Sequence, residues 1–341
     1  MSSPPEPGRG ERVLPGVWRL RLPLPWPGVT HCNAWAVRAG DGVVLFDCGL
    51  HTGFAGAGEE GSLEQLVRAL SQAGRKLEDV RLLVCTHAHS DHYGLAGPII
   101  DATGCELWMH PNHAHVTAAA EDPDEGLARR VEVARMSGVP LEPLAEWAQA
   151  AKQRGYGIKR VVEPARELVA GVVVETDVGS WSVHETPGHA PSHVCLHQPQ
   201  RRILISGDHL LGRVSLYFDY GWTPDPIGEF LHSLDKVQRL DARLCLAGHA
   251  RTFTDVGAHI EANRALVHER LARVREMVGE HGPITAYDVV PLLYGEPITQ
   301  LNASWWLPET LCYLGHLELA GELRRDGGEP ERWVLADKPH A

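Results

Sequence analysis

In the stretch VCTHAHSDHYG, three histidines and an aspartate, His87, His89, Asp91 and His92, fall within six positions. Imidazole nitrogens and carboxylate oxygens are typical donors to divalent cations, so this density points to metal binding. On extended chain, positions i and i+2 share a side, which aims His87 and His89 together. Asp91 and His92 then leave on the following turn toward a second point. Four donors of this kind at one strand end invite two metals, each needing further ligands from elsewhere. His189 in ETPGHAPSH, Asp208 in LISGDHL and His249 in CLAGHA are the candidates. Each follows an apolar or alternating run and is directly preceded by glycine: Gly188, Gly207 and Gly248. Glycine lets the backbone turn sharply there, so that the next side chain points off a sheet edge. With no thiolate at a ligand position, the set suits Zn²⁺, and also Fe or Mn.

Those residues need strands to carry them. VWRLRL, NAWAVRAG and VVLFDCG read as short strands separated by glycine-containing turns. SLEQLVRALSQAG reads as a helix with a serine cap, Leu63, Leu66, Val67 and Leu70 on one face, and a stop at Gly74. VRLLVC is a buried strand running straight into the histidine cluster, and CELWMH is the next one. Residues 112–160 are rich in Ala, Glu and Arg and read as a helical insertion capping a site. Strands return with VVVET, WSVHET, HVCLHQ, RILISGD and ARLCLAGH. From 258 onward, three helices and a short terminal strand suggest a winged-helix-like unit. The expected organisation is a disordered arm over 1–12, a layered α/β (α+β) catalytic domain over 13–257, and a small, mainly helical C-terminal domain over 258–341.

The chain carries a formal charge of −12, which argues against a nucleic-acid or anionic-membrane protein. From residue 259 onward there are 8 Lys/Arg against 13 Asp/Glu, so a packing or homodimerisation appendage is favoured over DNA binding. No apolar run approaches the length of a membrane span, and MSSPPEPGRGERVLPG has no apolar signal core. A cytoplasmic protein with a small-molecule substrate is expected. The seven cysteines lack any C-x-x-C pair and read as reduced thiols, with Cys48 and Cys85 packed as small hydrophobes.

H-x-H-x-D-H after a strand, followed in order by TPGH, SGD and AGH, resembles the metallo-β-lactamase superfamily across roughly residues 13–255. The resemblance implies an αββα sandwich with two divalent ions at one edge. It implies that His87, His89 and His189 hold the first ion, that Asp91, His92 and His249 hold the second, and that Asp208 bridges them. Asp47 in LFDCG matches a family aspartate beneath the site, where it would accept a hydrogen bond from a ligand imidazole. Asp208 argues against antibiotic hydrolysis, since many true β-lactamases lack an aspartate there.

The motif series looks most like the glyoxalase II and lactonase branch, which opens thioesters or lactones. The acidic tail does not match the basic segment with which glyoxalase II grips glutathione. The implied reaction is attack by a metal-bridging hydroxide on an ester-type carbonyl, with Asp91 and Asp208 as the catalytic carboxylates. The alternatives are a mononuclear iron oxidoreductase of the persulfide dioxygenase kind, and a nuclease or nucleic-acid-binding protein acting through its tail. His193 is read either as a neighbour supporting a ligand or as a core histidine. His113 or His115 in MHPNHAHV, and Tyr217, Tyr220 and Trp222 in SLYFDYGW, are the candidate pocket contacts. His184, His197, His232 and His316 are read as structural.

Overall fold

Alternating apolar runs punctuated by glycine turns build two stacked sheets in the computed structural model, which describes residues 8–26, 28–51, 61–300 and 302–337. The first sheet runs in chain order from β1 (Arg9–Leu14) through β2 (Val17–Trp26), β3 (Val29–Ala39), β4 (Gly42–Phe46), β5 (Val80–Val84), β6 (Glu106–Met109) and β7 (Arg166–Glu167). Its first four strands form an antiparallel meander, and β4 to β7 are parallel. Parallel neighbours need crossovers, supplied on the outer face by α1 (Ser62–Gln72) and α3 (Ala96–Thr103), with the four-residue α2 (Ser90–Tyr93) between β5 and α3. The second sheet has the order β12-β11-β10-β9-β8. It is formed by β8 (Val173–Thr176), β9 (Gly179–Glu185), β10 (Val194–Gln198), β11 (Ile203–Gly207) and β12 (Leu244–Ala247). β11 and β12 are parallel and are joined through α7 (Pro226–Gln238).

Period-2 alternation decides where each side chain goes. Trp35, Val37, Phe46 and Val84 of the first sheet meet Trp181, Val183, Leu196, Ile205 and Leu246 of the second in the space between the layers. The opposite faces are covered from outside. Leu66, Leu70 and Ile99 lie over Leu20, Leu45 and Leu83, while Ile227, Phe230 and Leu234 lie over Leu204 and Cys245. The result is the expected αββα sandwich. At one edge, backbone pairing ties the layers together. Asn33 N donates to Gly248 O at 2.6 Å, its Nδ2 donates to Ala247 O at 2.9 Å and Ala250 O at 3.0 Å, and Cys32 bridges His249. This edge gathers the carboxyl ends of β4, β5, β11 and β12.

The insertion is helical, with α4 (Ala114–Glu121), α5 (Pro123–Met136) and α6 (Leu141–Arg154). At the start of α5, Asp122 accepts from Glu125 N and proline occupies the first turn, a combination worth about 1 kcal/mol of helix stability. The tail contains α8 (Val256–His281), α9 (Ala286–Tyr294), α10 (Ala303–Leu319) and an antiparallel hairpin of β13 (Leu323–Arg325) and β14 (Trp333–Leu335). Among the described residues, no helix is long and apolar enough to cross a membrane.

Three expectations need correction. The arm expected over 1–12 is structured from residue 9: β1 pairs with β2, and Glu11 meets Arg19 in an ion pair. Backbone pairing outweighs a composition rich in charge and glycine, and residues 1–7 lie outside the described residues. Ser62 is the first helical residue of α1 and Gly61 is its cap, so Val67 turns outward and Gln65 and Ala69 inward. The boundary expected at 257/258 falls inside one hydrophobic cluster, in which Leu204, Phe218 and Phe230 are continuous with Val267, Leu311 and Leu317. The outer face of the second sheet is wider than α7, and the C-terminal helices complete its cover. All seven cysteines are free and buried.

Candidate metal centre

β5 ends at Val84, and the chain runs through Thr86, His87 and His89 into α2, which holds Asp91 and His92. His189 follows β9, Asp208 directly follows β11, and His249 lies just beyond β12. The fold thus delivers all seven residues to the tied edge of the sandwich. Gly188 (φ 127°) and Gly207 (φ 46°) take backbone conformations that side chains disfavour. Gly248 is required for a different reason: a Cβ there would press on Asp208 Oδ1 and lie 2.8 Å from His92 Cε1.

Two donor sets result. His89 Nδ1 lies 3.1 Å from His87 Nε2 and 3.0 Å from His189 Nε2, so three ring nitrogens face one point. In the second set, Asp91 Oδ2 lies 3.1 Å from His249 Nε2 and 3.4 Å from His92 Nε2. Asp208 stands between the two. Its Oδ1 is 3.3 Å from His92 Nε2, and its Oδ2 is 3.1 Å from His249 Nε2 and 3.8 Å from His189 Nε2. His92 Nε2 and Asp208 Oδ1 are buried without a hydrogen-bond partner, and converging lone pairs of this kind fit a cation.

Each imidazole is fixed by its other nitrogen. His92 Nδ1 donates to Asp47 Oδ2 at 2.9 Å, His249 Nδ1 to His31 O at 2.9 Å, and His189 Nδ1 to Tyr217 O at 3.0 Å. His87 Nδ1 donates to Thr86 Oγ1 at 3.0 Å, and His89 Nε2 to Asp219 Oδ2 at 2.9 Å. These partners fix the tautomer whose site-facing nitrogen can bind a metal once any second ring proton has left. Asp47 is itself buried with φ 60°, and it also accepts from Thr86 N at 2.7 Å and Thr86 Oγ1 at 3.0 Å.

Charge follows the same division except at His89, which Asp219 raises against the effect of burial. Burial and the surrounding imidazoles drive His87 well below the ordinary histidine range, and burial and His89 bring His189 down to about 4. At the second set, burial also opposes charge on the rings, but Asp208 and Asp91 outweigh it and lift His249 to about 10. Burial likewise disfavours ionised Asp91 and Asp208, yet their imidazole neighbours hold both below the usual carboxylate range. Buried carboxylates that stay ionised give the site a negative potential suited to a divalent ion, and loading must displace ring protons.

His193 supports Asp208: its Nε2 accepts from Asp208 N at 3.1 Å, while its Nδ1 donates to Thr186 Oγ1 at 2.8 Å. Tyr217 stacks edge-on to His89 and His189 at 5.7 and 5.6 Å, and Trp222 lies 6.3 Å from His115. Two of the candidate pocket contacts do not reach the site. Tyr220 packs on the C-terminal core beside Arg325, because the alternating backbone turns it away from Asp219. His113 turns to Thr117 Oγ1 (3.0 Å) and Glu163 (3.8 Å), since it stands at the start of α4, one turn before Thr117.

Asp219 and Ser192 carry no mark in the sequence, and nothing there separates His115 from His113. His115 Nδ1 lies 2.8 Å from Asp219 Oδ2, and its Nε2 lies 2.8 Å from Ser192 Oγ. The aromatic run SLYFDYGW drew attention to the right segment but not to its only acid.

A sequence model described as the metallo-beta-lactamase superfamily matches residues 27–249. The chain is similar to the probable metallo-hydrolase YqjP of Bacillus subtilis, 27% identical over 282 residues, spanning 81% of this chain and 84% of that protein. It is similar to the human acyl-coenzyme A thioesterase MBLAC2, 29% identical over 231 residues, spanning 65% of this chain and 74% of that one. Among solved structures, a metallo-beta-lactamase family protein from Thermus thermophilus superposes at a TM-score of 0.80 with 26% identity, covering 95% of this chain and all of that one.

Proposed function

The chain belongs to the metallo-β-lactamase superfamily, and on that premise we propose that it is a dinuclear metal-dependent hydrolase of ester-type carbonyls, with thioesters ahead of lactones. The observation that carries this reading is the position of Asp208 between two donor sets, within 3.1–3.8 Å of His249, His92 and His189. His87, His89 and His189 would hold one ion, Asp91, His92 and His249 the other, and Asp208 would touch both. Two divalent ions there, zinc in the first place, would supply a water activated near neutral pH and positive charge for the carbonyl oxygen and the leaving group. Asp91 Oδ2, facing His249 and His92, would be a ligand of the second ion, which makes Asp91 a weakened base for the proton of that water.

Two observations favour the thioester. The human relative named above is an acyl-coenzyme A thioesterase. On α5, Arg129 lies 3.9 Å over the Trp222 ring and donates to Gly221 O at 2.7 Å, and Arg130 lies over Trp147 and reaches Ser304. Among the described residues these guanidiniums engage indole faces, a carbonyl and a hydroxyl and meet no carboxylate, so their charge is open to an anionic carrier group.

Elemental analysis of purified protein, coupled to turnover of a thioester, a lactone, a phosphodiester and a persulfide, tests the reading. Two zinc ions per chain with thioester or lactone turnover is the expected result; one iron with oxygen consumption on the persulfide overturns it. His89→Ala should abolish turnover and lower metal content while keeping the fold, and full activity in that variant would sink the mechanism.

A further inference from the structure

The segment Tyr217–Asp219 touches two of the three imidazoles of the first donor set. Tyr217 O accepts from His189 Nδ1, Asp219 N donates to His189 O at 3.2 Å, and Asp219 Oδ2 accepts from His89 Nε2. Asp219 is itself held on every side. Tyr217 Oη donates to its Oδ1 at 3.1 Å, and His115 Nδ1 approaches its Oδ2 at 2.8 Å. His115 is fixed in turn: Ser192 Oγ donates to its Nε2, and Ala88 N donates to Ser192 Oγ at 3.0 Å, next to His89 itself. Hydrogen bonds and the 2.8 Å contact of His115 with Asp219 close a ring from Ala88 through Ser192, His115 and Asp219 back to His89. It draws on the loop after β5, the turn before β10, the inserted helix α4 and the loop before α7.

Resting on the reading of His89 as a metal ligand, we infer that Asp219, seated by His115 and Ser192, is the positioning residue that aims His89 Nδ1 at the first metal. His89, His115 and Asp219 also lie within ligand distance of one another. His89 Nε2 and Tyr217 Oη already occupy the two oxygens of Asp219 with hydrogen bonds, and His115 Nδ1 crowds Oδ2 at 2.8 Å, so the group orients a ligand and does not form a third cation site. A ring free to rotate about χ2 would present its lone pair to the ion for only part of the time. Fixing it is the service such carboxylates perform, and their loss lowers metal affinity about 10–100-fold.

The test measures metal affinity directly on the full-length protein, by competition with a chromophoric zinc chelator and by the visible absorption of the cobalt-substituted form. Asp219→Ala should weaken one of the two sites about 10–100-fold and leave the other unchanged. His115→Ala should weaken the same site by less. Asp219→Asn should recover most of the affinity. Its amide oxygen can accept from both His89 and His115, while its NH2 donates to Tyr217 Oη, so position is kept and charge is lost. Equal affinities in wild type and Asp219→Ala would overturn the inference, as would an Asn variant as weak as Ala. Should Asp219→Ala fail to fold, His115→Ala carries the same test. His89→Ala separates the two readings: if it binds two ions normally, the ligand assignment itself fails. Metal loss in His89→Ala with none in Asp219→Ala removes only the positioning role.

Discussion

Replacing Asp47 with asparagine asks whether a carboxylate that touches no metal sets the affinity of the second site. Asp47 accepts at both oxygens: Oδ1 from Thr86 N, and Oδ2 from Thr86 Oγ1 and His92 Nδ1. An asparagine has one acceptor oxygen, so two arrangements are available. With its oxygen toward Thr86 N, the NH2 faces His92 Nδ1, the ring must take the opposite tautomer, and the proton on Nε2 blocks the metal-facing position. With its oxygen toward His92, the NH2 opposes Thr86 N–H, leaving a buried donor unpaired at a cost of about 1–3 kcal/mol. The metal-free protein takes the first arrangement and binding must force the second, so second-site affinity falls by about 10–100-fold at 1.4 kcal/mol per tenfold. Chelator competition and metal analysis of Asp47→Asn against wild type measure this, with thermal unfolding of the apo proteins as a control for folding. Two ions bound with unchanged affinities would refute the argument from tautomer and hydrogen bonding.

Three further outcomes are expected. Glu309 is buried on α10, with Tyr313 Oη donating to its Oε1 at 2.7 Å, and burial lifts its carboxyl from 4.5 to about 7. Because the folded form holds the proton longer than the unfolded one, its contribution to stability is full below about pH 4.5 and is lost as pH rises toward 7. Glu309→Gln should therefore gain up to about 3 kcal/mol relative to wild type between pH 5 and 8 in denaturant unfolding, and parallel pH profiles would contradict it. Gly248→Ala forces a methyl group onto Asp208 and His92, so it should lose metal and activity at a stability cost of about 1–3 kcal/mol; full metal content would contradict the packing argument. Arg129→Ala should raise KM for a phosphate-bearing acyl thioester about tenfold, with kcat and metal content unchanged. An unaltered KM would remove Arg129 from substrate recognition.

What could be read along the chain was whatever the backbone delivers locally. His87, His89, Asp91 and His92 are contiguous, and His189, Asp208 and His249 each close an apolar run behind a glycine, so strand ends and donor chemistry mark them together. Asp219, His115 and Ser192 carry no such mark, because they meet only after four separate segments are folded against one another. Tyr217 and Tyr220 look equivalent as letters, yet one stacks on His89 and the other packs beside Arg325. The strand over Arg9–Leu14 was hidden for a related reason: its partner is β2, and its composition alone is that of a loop. The tail's helices were legible from their periodicity, but that they share a core with α7 and the second sheet was not.

Phe218, between the two residues that orient His189 and His89, is fully buried against Phe230 at 5.2 Å and Tyr313 of α10 at 6.0 Å. In mechanical terms, the C-terminal helices are the abutment against which the metal-facing loop is braced. Changes of volume at Phe218 or Tyr313 should then behave as a tuning screw on the site. A survey of random variants for altered metal selectivity would recover positions in α10 that lie nowhere near an ion.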